Sequence, residues 1–102
     1  MNMQQMIQAM QKTQRMYEKE RKLIEEKEFT YTANNIVKLT MKGNLEIVSL
    51  EILDDDILNK DDKDMLIDMI KIAFDNVKNQ INDAENELLE KYQNQSTLGK
   101  MF

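Results

Sequence analysis

The chain has 102 residues, 41% of them hydrophobic, and a formal net charge of −5. One domain of this size buries a thin core, so self-association would help to stabilise it. The absence of cysteine and histidine removes thiol nucleophiles, disulfides, the usual general base and the commonest transition-metal ligand. We therefore predict a protein that is not an enzyme and that uses no cofactor, metal ion or small-molecule substrate.

The same composition bears on location. No apolar run approaches the ~18 residues that a membrane span needs, and the N-terminus lacks a basic segment followed by a continuous apolar one. We expect a cytoplasmic protein with no membrane partner. The acidic balance argues against a general attraction to nucleic acids or anionic membranes.

Residues 3–27 have the apolar spacing of a first helix, because residues three, four and seven apart fall on one helical face. The residues that form this stripe are Met3, Met6, Ile7, Met10, Tyr17 and Ile24. Five of the nine methionines lie within the first sixteen residues. They either fill a helix seam or form an adaptable groove for a partner, and the pattern favours the seam.

Residues 28–53 alternate between apolar and polar side chains, which predicts three short strands. Asn34-Asn35 and Gly43-Asn44 supply the turns between them. In the third strand Ile47 is out of phase with the apolar residues that follow it. We therefore expect a bulge or twist near Val48 and Ser49.

Residues 54–60 form an acidic loop. An EF-hand that started at Asp54 would need glycine at its sixth position and glutamate at its twelfth, where this chain has Asn59 and Met65. The favoured alternative is the start of a helix, with Asn59 as the N-cap and the aspartates that follow it in the first turn, where the helix dipole favours negative charge. Ile57 and Leu58 are expected to hold the loop against the core.

Residues 61–92 predict a second, longer helix, followed by a tail at 93–102. The helix is apolar around more than half of its circumference from Met65 to Val77, and then narrows to a seam that suits one helical partner. The first helix could be that partner. A single sheet cannot cover so wide a face, so we expect a second copy to bury the rest in a two-fold dimer. The expected interface residues are Met69, Ile70, Ile72, Ala73, Phe74 and Val77.

The charges are unevenly distributed. Residues 1–27 carry six basic and four acidic side chains, whereas residues 54–90 carry four basic and twelve acidic ones. In the first helix Lys12, Arg15, Lys19 and Lys22 occupy an arc of about 80° at 100° per residue. This stripe is either a solvated helix face or a surface for phosphate contacts, which need only correctly spaced cations.

Three segments resemble the YbaB/EbfC family of bacterial nucleoid-associated proteins: NIVKLTMKG (35–43), IVSLEI (47–52) and DDKDMLIDMIKIAFDNV (61–77). The resemblance implies an α+β fold, an α-β-β-β-α protomer with a three-stranded antiparallel sheet and two long protruding helices. It also implies a tweezer-like homodimer that binds double-stranded DNA with limited sequence preference. The expected DNA contacts are Lys12, Arg15, Lys19 and Lys22.

These inferences predict a homodimeric protein of the nucleoid that contributes to chromosome organisation or gene regulation. The alternative is a dimeric scaffold or adaptor that binds protein partners, in a role linked to DNA repair, and does not bind DNA. Salt dependence and charge reversal of the stripe distinguish the two.

Overall fold

The computed structural model of the protein describes residues 2–95 and has the predicted α-β-β-β-α order. The elements are α1 (Met3–Glu26), β1 (Glu28–Ala33), β2 (Val37–Lys42), β3 (Ile47–Ile52), a 3-10 turn (Asp55–Ile57) and α2 (Lys63–Gln95). The molecule extends over 70 × 20 × 15 Å, because both helices are longer than the sheet. The expected tail at 93–102 begins inside α2, and its residues 96–102 lie outside the described part.

The strands form one antiparallel sheet in the order β1-β2-β3. Asn34 and Asn35 connect β1 to β2 with positive φ angles of 49° and 58°. The N–H of Ile36 donates to the carbonyl of Ala33 at 2.9 Å and closes the turn. Asparagine adopts this left-handed conformation more readily than most residues, so the turn forms without glycine, as the sequence predicted.

The predicted irregularity in β3 is confirmed as a β-bulge. Thr40 pairs with Ser49, but the next residue, Met41, pairs with Ile47. Val48 is therefore the extra residue, and it brings Ile47 into phase with the later apolar residues of β3.

The core forms where the first half of α2 crosses one face of the sheet. Ala73 and Val77 are fully buried, and Ile81 is 2% exposed. They pack against the side chains that alternate along β1 and β2: Phe29, Ala33, Val37, Leu39 and Met41. The opposite face of the sheet is polar, and there the Thr30 and Thr40 hydroxyls are 2.9 Å apart in a hydrogen bond.

The second half of α2 leaves the sheet and packs along α1. Tyr17 meets Tyr92 edge to face, with ring centroids 5.7 Å apart. The Lys91 ammonium donates to both carboxylate oxygens of Glu20, at 3.1 and 3.2 Å. Leu88 is buried on the same seam. The predicted pairing of the narrow seam with the first helix is therefore confirmed, and the two helices together form an arm that projects beyond the sheet.

The acidic loop leads into the second helix, but α2 begins at Lys63 rather than at residue 61. The side-chain oxygen of Asn59 accepts from the backbone N–H groups of Asp61 and Asp62, both at 2.9 Å. Asn59 therefore closes the turn ahead of the helix, and the Asp62 carbonyl accepts the first helical bond, from Leu66.

The two apolar residues of this loop differ in burial. Ile57 is 4% exposed and holds the loop against the core, as expected. Leu58 is 55% exposed, so the expectation for it was wrong: the 3-10 turn that ends at Ile57 directs only one of two adjacent side chains inwards.

The end of α1 docks on the β2–β3 turn through backbone contacts. The N–H of Gly43 donates to the carbonyl of Lys27 at 3.0 Å, and the N–H of Asn44 donates to that of Glu25 at 3.1 Å. A β-carbon at Gly43 would overlap the carbonyl oxygen of Ile24. Glycine is required here by the close approach of two backbones.

Gly43→Ala is therefore expected to lower the free energy of unfolding by about 2–3 kcal/mol, because neither backbone can move away without breaking these bonds. Urea denaturation followed by circular dichroism measures the change. Glu46→Ala in the same loop, which removes only an exposed ion pair with Lys42, should cost less than about 0.5 kcal/mol. Equal losses of unfolding free energy in the two variants would show that the close backbone approach at Gly43 does not require glycine.

The Tyr92 phenol gives the arm a pH dependence. Burial, and then a hydrogen bond to the Glu20 carboxylate, raise the pKa of Tyr92 above its ordinary value, since both favour the neutral phenol. Because the folded-state pKa is raised, the resulting stability is fully present below the unfolded pKa near 10. It is lost as the pH rises from there through the folded pKa.

Tyr92→Phe should accordingly reduce the decline in melting temperature between pH 9 and pH 11 relative to the parent chain. Thermal melts by circular dichroism across this range measure it. Tyr31→Phe is the control, and should retain the parent's alkaline decline. A Tyr92→Phe profile parallel to the parent's would contradict the assignment.

Candidate nucleic-acid interface

Four basic side chains line one exposed face of α1. Lys12, Arg15, Lys19 and Lys22 are all exposed, and α1 is continuous through them. We call these four residues the basic stripe. The stripe rises about 15 Å along the helix axis at 1.5 Å per residue. Double-stranded DNA carries one phosphate per strand for each 3.4 Å of its axis, so the stripe spans several phosphate positions.

The basic stripe points away from α2. On α1 the side chains turned towards α2 include Tyr17, Glu20 and Ile24, which are all partly buried. At 100° per residue their mean direction lies about 150° from that of the stripe. The acidic helix α2 therefore does not stand in front of the cations, and α1 itself separates the two sets of charges.

Within residues 2–95, no carboxylate lies at ion-pair distance from a cation of the stripe. The ion pairs of this region use other lysines: Lys91 with Glu20 at 3.1 Å, and Lys42 with Glu46 at 3.8 Å. Cations without a partner are available for an external anion, whereas the Lys91 charge is already used to join the helices.

Two carboxylates weaken the positive field near the stripe. Glu26 projects in the same angular sector, one turn beyond Lys22, and Glu18 lies beside Arg15 and Lys22. Both are exposed, so solvent and salt screen their effect.

Two glutamines extend this face and were not predicted from the sequence. Gln4 and Gln8 precede Lys12 at four-residue spacing and are exposed, so they continue the face towards the N-terminus. Amides can donate hydrogen bonds to phosphate oxygens or to base edges. The four-residue spacing of these glutamines was visible in the sequence. The DNA contacts were predicted from positive charge alone, however, and glutamine is uncharged.

Neither a metal centre nor a membrane segment emerges from the described residues. Between residues 2 and 95, no three acidic side chains converge closely enough to hold a metal ion. Asp54 instead accepts a hydrogen bond from the backbone N–H of Asp56 at 3.0 Å. In the same span, neither helix combines the length and the apolar character needed to cross a membrane.

The six expected interface residues do not share one surface. Ala73 and Val77 are fully buried against the protomer's own sheet, which leaves no surface for a partner. Met69 and Ile70 are partly buried at the edges of that contact. Ile72 and Phe74 are exposed, but two residues apart on a helix they project about 160° from each other. Apolar periodicity shows which residues avoid water, but not which protomer covers them.

The structure also exposes apolar side chains of β3. Ile47 is 56% exposed, Leu50 45% and Ile52 36%. They face the same side of the sheet as the core residues of β2, because Leu39 pairs with Leu50 and Val37 with Ile52. The sequence shows that β3 is rich in apolar residues. It does not show that no other element of the protomer packs over them.

The fold and this surface define an elongated α-β-β-β-α protein whose basic helix face has no ion-pair partner among residues 2–95. The chain belongs to the YbaB/EbfC DNA-binding family, whose model matches residues 1–96.

Relatives of similar length agree with this assignment. The chain is 36% identical to a nucleoid-associated protein of Lactobacillus acidophilus, over 90% of this chain and 83% of the relative. It is 31% identical to one of Malacoplasma penetrans, over 86% and 93%. It is 28% identical to a nucleoid-associated protein of Mycoplasmopsis pulmonis, over 86% of each.

Proposed function

We propose that this protein is a nucleoid-associated protein that binds double-stranded DNA through the basic stripe of α1, with limited sequence preference. It acts as a homodimer in the cytoplasm and contributes to chromosome organisation or gene regulation. The observation that carries the proposal is the set of four exposed cations without ion-pair partners on the face of α1 turned away from α2.

Phosphate contacts account for such binding without base recognition. Lysine and arginine that neutralise phosphates release the counterions condensed on DNA, and this term does not depend on base sequence. The overall charge of −5 opposes long-range attraction, so binding relies on close contact and should be weak at physiological salt. Two protomers in a dimer present the stripe twice, which raises the effective affinity.

The Lys12→Gln/Lys19→Gln double variant tests the stripe. It removes two cations and leaves the α2-facing side of α1 unchanged, so we expect weaker binding to duplex DNA. The slope of log K against log [salt] should become shallower by about 1.8 for each stripe that contacts the DNA, or 0.9 for each phosphate that is no longer neutralised. Mobility shift or fluorescence anisotropy at several salt concentrations measures both quantities.

Lys60→Gln/Lys63→Gln is the matched control, since both lysines are exposed and the net charge changes by the same amount. We expect the control to bind like the parent chain. Equal decreases in affinity in both variants would reduce the effect to net charge and contradict a localised interface. Absence of any shift by the parent chain on duplex DNA at low salt would refute the proposed function.

The carboxylates beside the stripe provide a test in the opposite direction. Glu18→Gln/Glu26→Gln removes two negative charges next to the cations, so DNA affinity should rise several-fold at low salt and less at high salt. Glu87→Gln/Glu90→Gln on α2, with the same change in net charge, should have a smaller effect. A larger increase in affinity from the α2 pair would place the DNA contact on α2 instead.

A protein scaffold is the second candidate, favoured by the uncovered apolar residues near the start of α1. Met3 is 78% exposed, Met6 37% and Ile7 48%, and methionine-rich helix faces adapt to varied partners. Failure of the parent chain to bind DNA would favour this function, in which α1 serves as a docking helix.

A further inference from the structure

Among residues 2–95 no strand pairs with the outer edge of β1, because the sheet order is β1-β2-β3. The carbonyl of Lys27 accepts from the turn between β2 and β3, so it points into the sheet. Backbone groups alternate between the two edges along an antiparallel strand, and those of Glu28, Thr30 and Thr32 therefore point outwards. They form a row of donors and acceptors to which a further strand can add.

One group of this row has a hydrogen bond from a side chain. Gln80 of α2 donates to the carbonyl of Thr30 at 3.1 Å, and also to the side chain of Asn76 at 2.8 Å. Gln80 thus supplies the donor that an N–H of an added strand would supply. No other hydrogen bond within residues 2–95 reaches the outward backbone groups of Glu28 and Thr32, so most of the row is open.

A groove of about 420 Å³ lies between this edge and α2. From β1 it is lined by residues 27–30, and from α2 by Gln80, Asp83, Ala84 and Glu87. The groove is on the face of the sheet that α2 covers. A strand added to β1 would therefore direct every second side chain into it.

The groove has an acidic lining. Among the described residues that form it, Glu28, Asp83 and Glu87 are acidic, and Lys27 is basic. The Lys27 ammonium lies 5.3 Å from the centre of the Phe29 ring. Asp83 and Glu87 are exposed one helical turn apart, and neither forms an ion pair within residues 2–95. Both carboxylates are therefore available to an external cation.

We propose that this edge and groove bind an extended protein segment with a basic side chain at every second position, which adds to β1 as a fourth, antiparallel strand. The site is separate from the basic stripe and goes beyond DNA binding. Directly opposed residues of an antiparallel pair share a face of the sheet. Residues that bond to the backbone of Thr30 therefore share its face, away from α2, and their basic neighbours enter the groove.

Charge decides against a second copy of β1 as the occupant. Joining two β1 edges about a two-fold axis would bring two α2 helices to the same side of one sheet, each with Asp83 and Glu87 turned towards the junction. Like charges that face each other in this way are destabilising. An apolar segment would partly desolvate the same carboxylates without pairing them. A basic segment satisfies both the strand edge and the carboxylates.

A blocked hexapeptide that alternates lysine and threonine, labelled with a fluorophore, is the probe. We expect saturable binding to the full chain in fluorescence anisotropy at low salt, and weaker binding as salt is raised. In the antiparallel arrangement its threonine N–H groups bond to β1. A peptide that alternates lysine and proline keeps the charges but lacks these donors, so it should bind at least about tenfold more weakly.

Two results with these peptides would overturn the proposal. Equal affinity of the two peptides would reduce the contact to charge attraction without strand addition. Absence of binding by the lysine–threonine peptide at low salt would show that the edge does not accept a basic strand. Neither result bears on DNA binding through the basic stripe, which is measured separately.

Asp83→Asn/Glu87→Gln tests the groove itself. Loss of two exposed ion pairs should lower the affinity for the lysine–threonine peptide about three- to tenfold. Asp68→Asn/Asp75→Asn is the matched control, with the same change in net charge. Both of its residues are exposed on α2 and project about 100° from the direction of the groove, so it should bind like the parent chain. Equal losses in the two variants would contradict a localised site.

Amide hydrogen exchange followed by NMR locates the added strand. In the free chain we expect fast exchange at the outward N–H groups of Thr30 and Thr32, and at least about tenfold slower exchange when the peptide is bound. The N–H of Tyr31, which faces β2 opposite Leu39, should change little. Slow exchange at Thr30 and Thr32 before peptide is added would show that the edge is already covered. Unchanged exchange with bound peptide would place the peptide elsewhere, and either result overturns the proposal.

Discussion

The structure depends on α2 remaining one uninterrupted helix across two different partners. Its first half packs Ala73 and Val77 against the sheet, and its second half packs Leu88 and Tyr92 against α1. The chain contains no proline, so nothing in its composition forces α2 to bend or break between the two contacts. The single helix therefore fixes the direction of the arm relative to the sheet.

The arm in turn separates the charges. Because α2 occupies one side of α1, the side chains opposite that contact are directed into solvent, and these include the basic stripe. Glu20 and Lys91 neutralise each other at the seam, while the four stripe cations have no ion-pair partner among the described residues. An acidic protein can in this way present a locally basic surface, since screening limits the reach of its more distant carboxylates to about a Debye length.

Local sequence signals accounted for the elements of the fold. The turn at Asn34-Asn35, the bulge at Val48 and the seam that ends at Tyr92 all follow from backbone preference or apolar period. The start of α2 was misplaced by two residues, because Asn59 caps a turn and not the helix itself. Whether Asn59 caps a turn or the helix itself, its side chain accepts from the same backbone N–H groups. The sequence alone therefore does not distinguish the two.

The sequence by itself therefore determined the helices and strands through their apolar periodicity, the turns, and the arc of cations on α1. Each of these depends on residues close together in the chain. Only the tertiary structure decided that the arc faces away from α2, that Ala73 and Val77 belong to the protomer's own core, and that Leu50 and Phe74 remain uncovered. These facts depend on the lateral position of α2 over the sheet. That position is set by contacts such as Gln80 with Thr30, which join residues fifty positions apart, and no local pattern encodes it.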